Sequence, residues 1–257
     1  STEQIQQLAP RQFLALLPGQ VGHLSTDQVA QISTDGLRVL QVPQILGFGS
    51  DQVQALTAGQ LRSLLVPQIT ALNSSQLQSI ETGDFELLST AQIAGLSATQ
   101  VGSMKDVQVK SLTSDQVSVL SAPQLLALKT DQVRGLEVDQ VNALKTGQIQ
   151  GFATSQIAAL SSEQVAGIDS ARLNAMTPAQ LSSLQTSQVQ FLTTDQVKSF
   201  GIREISALRV AQIAALSTDQ VVVIETSDAK ALSVEQLAGM SSDQMVSLTE
   251  AQFVALS

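Results

Sequence analysis

The chain divides into thirty-two consecutive blocks of eight residues with no insertion or deletion, leaving only Ser257 over. Typical blocks are STDQVAQI (Ser25 to Ile32), TSDQVSVL (Thr113 to Leu120), KTDQVRGL (Lys129 to Leu136) and SSEQVAGI (Ser161 to Ile168), and the shared pattern reads S/T-x-D/x-Q-V/I/L-x-A/G/S-L. Position 4 is Gln in 27 blocks, positions 5 and 8 are apolar in all of them, with Ala229 the weakest, and position 7 is Ala, Gly or Ser in 24. Each block can bury its few apolar side chains only against other blocks, so the array predicts a quasi-one-dimensional stack rather than one central core. Aromatic residues at 3% agree with a narrow core, and six of the seven Phe (Phe13, Phe48, Phe85, Phe152, Phe200, Phe253) fall at position 5 or 8.

The apolar spacing of 3, 5, 3, 5 excludes alternating β-structure, because odd steps put successive apolar residues on opposite faces of a strand. A continuous helix is excluded as well: eight residues at about 100° each overshoot two turns by about 80°, and the apolar stripe would wind round the helix. The helix must break once per octad, and three signals agree on where. Position 1 is Ser or Thr in 15 blocks, which with Gln at position 4 makes an S/T-x-x-Q capping box. All six prolines (Pro10, Pro18, Pro43, Pro67, Pro123, Pro178) fall at position 2 or 3, in the first turn where a missing N–H is harmless. Of 22 acidic residues only Glu86 lies outside positions 1 to 4, so the carboxylates face the positive end of the helix dipole.

The expected fold is therefore all-α: an α-solenoid of very short capped helices, one per octad, forming a single continuous repeat array over residues 1–257. Helices of about six residues, roughly 9 Å long, do not persist alone in water, so stability must come from stacking. Acidic residues at position 3 recur every third octad near both ends (Glu3, Asp27, Asp51; Asp195, Asp219, Asp243), which suggests three octads per coil; two per coil, a stack of helical hairpins, is the competing arrangement.

The composition narrows function mainly by exclusion. A net charge of −9 repels phosphate backbones and anionic lipid, so neither a nucleic acid nor a membrane surface is expected as partner. No apolar run is long enough to span a bilayer, and the opening STEQIQQLAP lacks the basic and apolar regions of a signal peptide. Cysteine is absent, and the single His23 has no second His near it in sequence with which to hold zinc. The Ser and Thr residues are read as caps rather than nucleophiles, since no G-x-S-x-G elbow surrounds one. Neither catalytic nor cofactor-binding nor metal-ligating residues are assigned. Weak Ca²⁺ binding along the acidic position-3 edge is the one cofactor alternative, and no D-x-D-x-D-G loop supports it. The Gln column is read as capping, with an amide ladder between coils as a compatible addition.

Five octads lack the Gln, at Gly36, Asp84, Arg172, Glu204 and Asp228. Two of them, ETGDFELL (Glu81 to Leu88) and ETSDAKAL (Glu225 to Leu232), are related and carry extra charge; they are read as drift under weak selection, with a contact surface as the alternative. Asn73-Ser74-Ser75 satisfies the glycosylation sequon.

Two resemblances arise from these strings. LSTDQVVVIET (Leu216 to Thr226) resembles the first helix of a transcription-activator-like effector repeat, but the period near 34, the Gly-Gly loop and the basic surface of that family are missing. STAQIAGLSATQV (Ser89 to Val101) and TSQIAALSSEQVAGI (Thr154 to Ile168) resemble the L-T/S-x-x-Q-V/I-x-A-L arrays of very large, repetitive bacterial surface and secreted proteins. That resemblance implies an acidic extracellular module of the adhesin, sheath or surface-layer kind, located outside the cell or on its surface. The first block STEQIQQL and the last block TEAQFVAL are ordinary octads with apolar residues at positions 5 and 8, so the expectation is either a segment of a longer array or copies that self-associate end to end or laterally. The expectation is a non-enzymatic structural protein forming a filament, tube, lattice or stalk; the alternative is a solenoid module that binds a peptide, glycan or cation.

Overall fold

The structure, a computed structural model, describes residues 1–256 and contains one helix in each of the thirty-two octads, from Thr2–Gln6 to Glu250–Ala255, numbered here α1 to α32. Each is four to six residues long, and no strand occurs among the described residues. Two compact units are distinguished, Ser1–Leu128 and a second beginning at Lys129, so the border falls between two octads.

The break between helices is made of extended backbone. Position 8 stands near φ −59° and ψ 134° at Leu40 and Leu64, and the N-cap that follows it is extended too, as at Ser25 with φ −68° and ψ 161°. Among the described residues no φ is positive, so the junction needs no glycine and position 8 is free to be the large apolar residue the core requires.

Within each unit, helices three octads apart pack together. In the first unit α2 (Pro10–Leu14) lies against α5 (Thr34–Val39), and α13 (Ala98–Ser103) against α16 (Ala122–Leu126); in the second, α20 (Thr154–Ala159) lies against α23 (Pro178–Ser183). The three-octad alternative is therefore the observed one, and hairpin stacking is not. Hydrogen bonds between coils join residues 25 to 31 apart, so a coil closes on slightly more than three octads. Small residues at position 7 make room for this contact. A Cβ placed on Gly95, Gly167 or Gly239 would stand 2.6, 2.4 or 2.4 Å from a methyl of Val66, Val138 or Val210, each at position 2 three octads earlier.

Positions 5 and 8 line a dry axial core, buried at Val53 and Leu56 as at Val189 and Leu192. The core is packed closely enough that the void between Val133, Leu144, Phe152 and Leu160 holds only about 10 Å³, at the lower limit for one water.

Candidate functional site

The polar feature that recurs is a seam of buried glutamines between coils. Within each unit, a position-4 amide of the seam such as Gln60 or Gln220 faces two ways. Its Oε1 accepts from the N-cap N–H of its own helix, 2.7 Å at Thr57–Gln60 and 2.7 Å at Ser217–Gln220. Its Nε2 donates to backbone carbonyls at positions 5 and 8 of the octad four earlier: Gln60 to Val29 and Ile32 at 2.9 and 2.8 Å, Gln212 to Leu181 and Leu184 at 2.9 and 2.8 Å. These acceptors stand where one helix ends, so the amide caps its own helix and the end of another simultaneously. The column is therefore no Gln–Gln ladder; its second role is amide to backbone.

The Oε1 bond forms even where the N-cap has no hydroxyl, as at Ala9, Leu17, Gly49 and Lys105. The Ser or Thr half of the capping box is thus optional, and the Gln half is nearly universal. A second seam runs beside the first: long polar side chains at position 6 reach the position-7 carbonyl three octads later, Asn142 to Gly167 at 2.7 Å and Gln150 to Ala175 at 3.0 Å.

The Gln-less octads divide by what replaces the amide. At Arg172 the guanidinium Nε donates to the Leu144 carbonyl at 2.5 Å, and the Asp169 N–H that has lost its acceptor donates instead to Asn142 Oδ1 at 3.2 Å. At Glu204 the carboxylate still accepts from the Gly201 N–H at 3.0 Å, while the neighbouring Arg203 supplies the missing donors, to the Met176 carbonyl at 2.9 Å and to that of Asn174. Gly36 leaves room for a ring, since a Cβ there would stand 2.7 Å from Phe13 Cδ2.

Asp84 and Asp228 have no such replacement. Their helices, α11 (Thr82–Phe85) and α29 (Thr226–Ala229), are among the shortest, and neither Glu81 nor Glu225 caps through its side chain. Burial, then the charge of Glu81, raises the Asp84 carboxyl above its usual range. Each unit has a polar cleft beside its Asp octad: Gln54, Ile80, Glu81, Thr82, Lys105 and Gln108 line one, and the corresponding Lys198, Ile224, Glu225, Thr226, Thr249 and Gln252 line the other.

His23 is exposed, with Nδ1 2.5 Å from the Gly19 carbonyl, and among the described residues no three His, Cys, Asp or Glu side chains gather where a metal ion could be held. Nor is any described helix long and apolar enough to cross a membrane.

Tandem short helices joined by extended junctions, with one coil capping another, define this protein as an α-helical repeat protein of solenoid type. The family model of the ALTTAQ repeat matches residues 77–114, 133–168, 165–201 and 221–257. These segments cover more than half of the sequence, and the chain belongs to the ALTTAQ repeat family. Each match opens on a position-5 residue and includes the glutamine that bonds it: Leu77 with Gln108, Val133 with Gln164, Val165 with Gln196 and Val221 with Gln252, at 2.9 to 3.2 Å. No curated protein matches the sequence.

Proposed function

We propose that this chain is a non-enzymatic structural module, an extracellular or cell-surface solenoid that associates head to tail into a filament, tube or lattice, or serves as a stalk. The observation that carries the reading is the direction of the seam. Within each unit the seam amides donate toward earlier octads, as Gln60 and Gln212 do, so one side of such a coil offers glutamine donors and the other offers carbonyls. Such a contact is heterologous and repeats without closing. The polar side chains support the same reading: hydroxyls cap helices and amides join coils. The extracellular setting rests on the resemblance to large bacterial surface arrays.

Negative-stain electron microscopy of the purified chain over a concentration series tests the proposal. Uniform filaments or tubes that lengthen with concentration are expected; isolated short particles at every concentration would overturn self-assembly. A binding module is the second reading, favoured by the matching clefts beside Glu81 and Glu225. Under that reading Lys105→Ala abolishes binding of a glycan or peptide at the first cleft while leaving the helical circular dichroism unchanged.

A further inference from the structure

The glutamine seam is interrupted once inside each unit by an aspartate at position 4. In the register by which Gln60 reaches Val29 and Ile32, the carbonyls that belong to Asp84 are those of Val53 and Leu56, and those that belong to Asp228 are those of Val197 and Phe200. Among the described residues no side chain donates to any of the four. Asp84 is half-buried and Asp228 only 8% exposed, yet neither carboxylate accepts a hydrogen bond or forms an ion pair there. Aspartate is one methylene shorter than glutamine, which leaves the place of the amide head group open. The two clefts lie between the sides of the absent bond: Gln54 faces Glu81, Thr82 and Gly83 in the first unit, and Lys198 faces Glu225 and Thr226 in the second.

The same chain shows what completes such a place. At Glu204, also a carboxylate at position 4, the Arg203 guanidinium stands 2.5 Å from the carboxylate and donates to the position-8 carbonyl of Met176 at 2.9 Å and to that of Asn174. At Arg172 a guanidinium again takes the position-8 carbonyl, that of Leu144. In the Asp octads position 3 is Gly83 or Ser227, which cannot supply that group, and a Cβ on Gly83 would meet nothing within 4 Å. We propose that each Asp octad is a binding site for a guanidinium group, supplied by an arginine of a partner peptide segment. The guanidinium bridges Asp84 and the Leu56 carbonyl, or Asp228 and the Phe200 carbonyl, as Arg203 bridges Glu204 and Met176. The vacant place offers acceptors alone, so its ligand must be a cationic donor, and a planar fork satisfies a carboxylate and a carbonyl together better than an ammonium does. The exposed Glu81 and Glu225 add negative charge, and the carbonyl ends of Ser50–Gln54 and Thr194–Lys198 add the negative end of a helix dipole. Lys105 and Lys198, which also line the clefts, form no ion pair with either aspartate. The site deepens the binding-module reading of the clefts, on which it rests, by giving it a ligand class.

The test is a titration of the chain, followed by NMR, with a Gly-Arg-Gly peptide blocked at both ends. Two sites are expected, and the same peptide with lysine, or with citrulline, which keeps the fork without the charge, should bind about tenfold more weakly. Asp84→Gln and Asp228→Gln should each remove one site and the double variant both, with helical circular dichroism unchanged, because glutamine restores the seam's own occupant. Gly83→Arg supplies the guanidinium from within the chain, in the place that Arg203 has beside Glu204, and should raise the melting temperature while removing one site. Equal binding of the three peptides, binding that survives the double variant, or no binding of the arginine peptide would overturn the guanidinium site. If a glycan or another peptide still binds in a Lys105-dependent manner, the binding-module reading outlives that result; if nothing binds at either cleft, both fall.

Discussion

The glutamine at position 4 is worth more than its capping role alone, and substitutions separate the two halves. Gln196 accepts from the Thr193 N–H at 2.7 Å and donates to the Val165 and Ile168 carbonyls at 2.9 and 2.6 Å. Gln196→Glu keeps the first bond and sets a carboxylate against the two carbonyls, so a loss of about 2–4 kcal/mol is expected in urea unfolding. The same change at Gln28 should cost under about 0.5 kcal/mol, because no carbonyl faces that amide. Glu204 shows that a carboxylate is tolerated where Arg203, whose guanidinium stands 2.5 Å from it, supplies the donors. Arg203→Ala should therefore destabilise the protein more than removing an ordinary exposed arginine does. Asp84 gives a pH signature. Its folded carboxyl is raised above the unfolded value of about 3.9, so the folded state holds the proton more tightly and stability falls as pH rises through that window. Asp84→Gln should abolish this slope and, by restoring the amide, raise stability at pH 7 by about 1–2 kcal/mol, measured as thermal melts from pH 3 to 8.

At the scale of the helix, capping and packing contribute separately. Ser217→Ala removes the hydroxyl bond to the Gln220 N–H, 3.1 Å, and should cost about 1 kcal/mol. Helices without that half, such as Val210–Ala214 after Arg209, show that the loss is survivable. Gly167→Ala tests the close approach of coils: the new methyl would collide with Val138, and a loss of about 1–3 kcal/mol by calorimetry is expected, with helical content unchanged. Much of this scale was legible in the sequence. Helix starts follow from Pro, Ser, Thr and acidic residues in the first turn, and the core follows from positions 5 and 8, because these features act within one octad. The double use of Gln was visible only indirectly. Gln occurs in 27 octads and Ser or Thr at position 1 in 15, so the amide had to serve something besides its hydroxyl partner. The relief of the Asp169 N–H by Asn142 had no sequence signal, since the two residues lie in octads with no local relation.

Across the whole molecule, stability is a sum over neighbouring coils, and under the proposed self-association copies that bind one another add to it. The melting temperature should therefore rise with protein concentration, measured as thermal melts over a dilution series. The sequence by itself determined that the chain is all-helical, that its helices break every eight residues, and that they stack as a solenoid. Each of those properties is fixed by forces acting within a single octad: helix period, caps, and the width of one apolar face. The tertiary structure decided that helices meet three octads apart and that glutamine amides reach four octads back. Those distances come from the small bend at each extended junction, which accumulates over several octads before two segments touch, and an identical eight-residue pattern is compatible with more than one such sum.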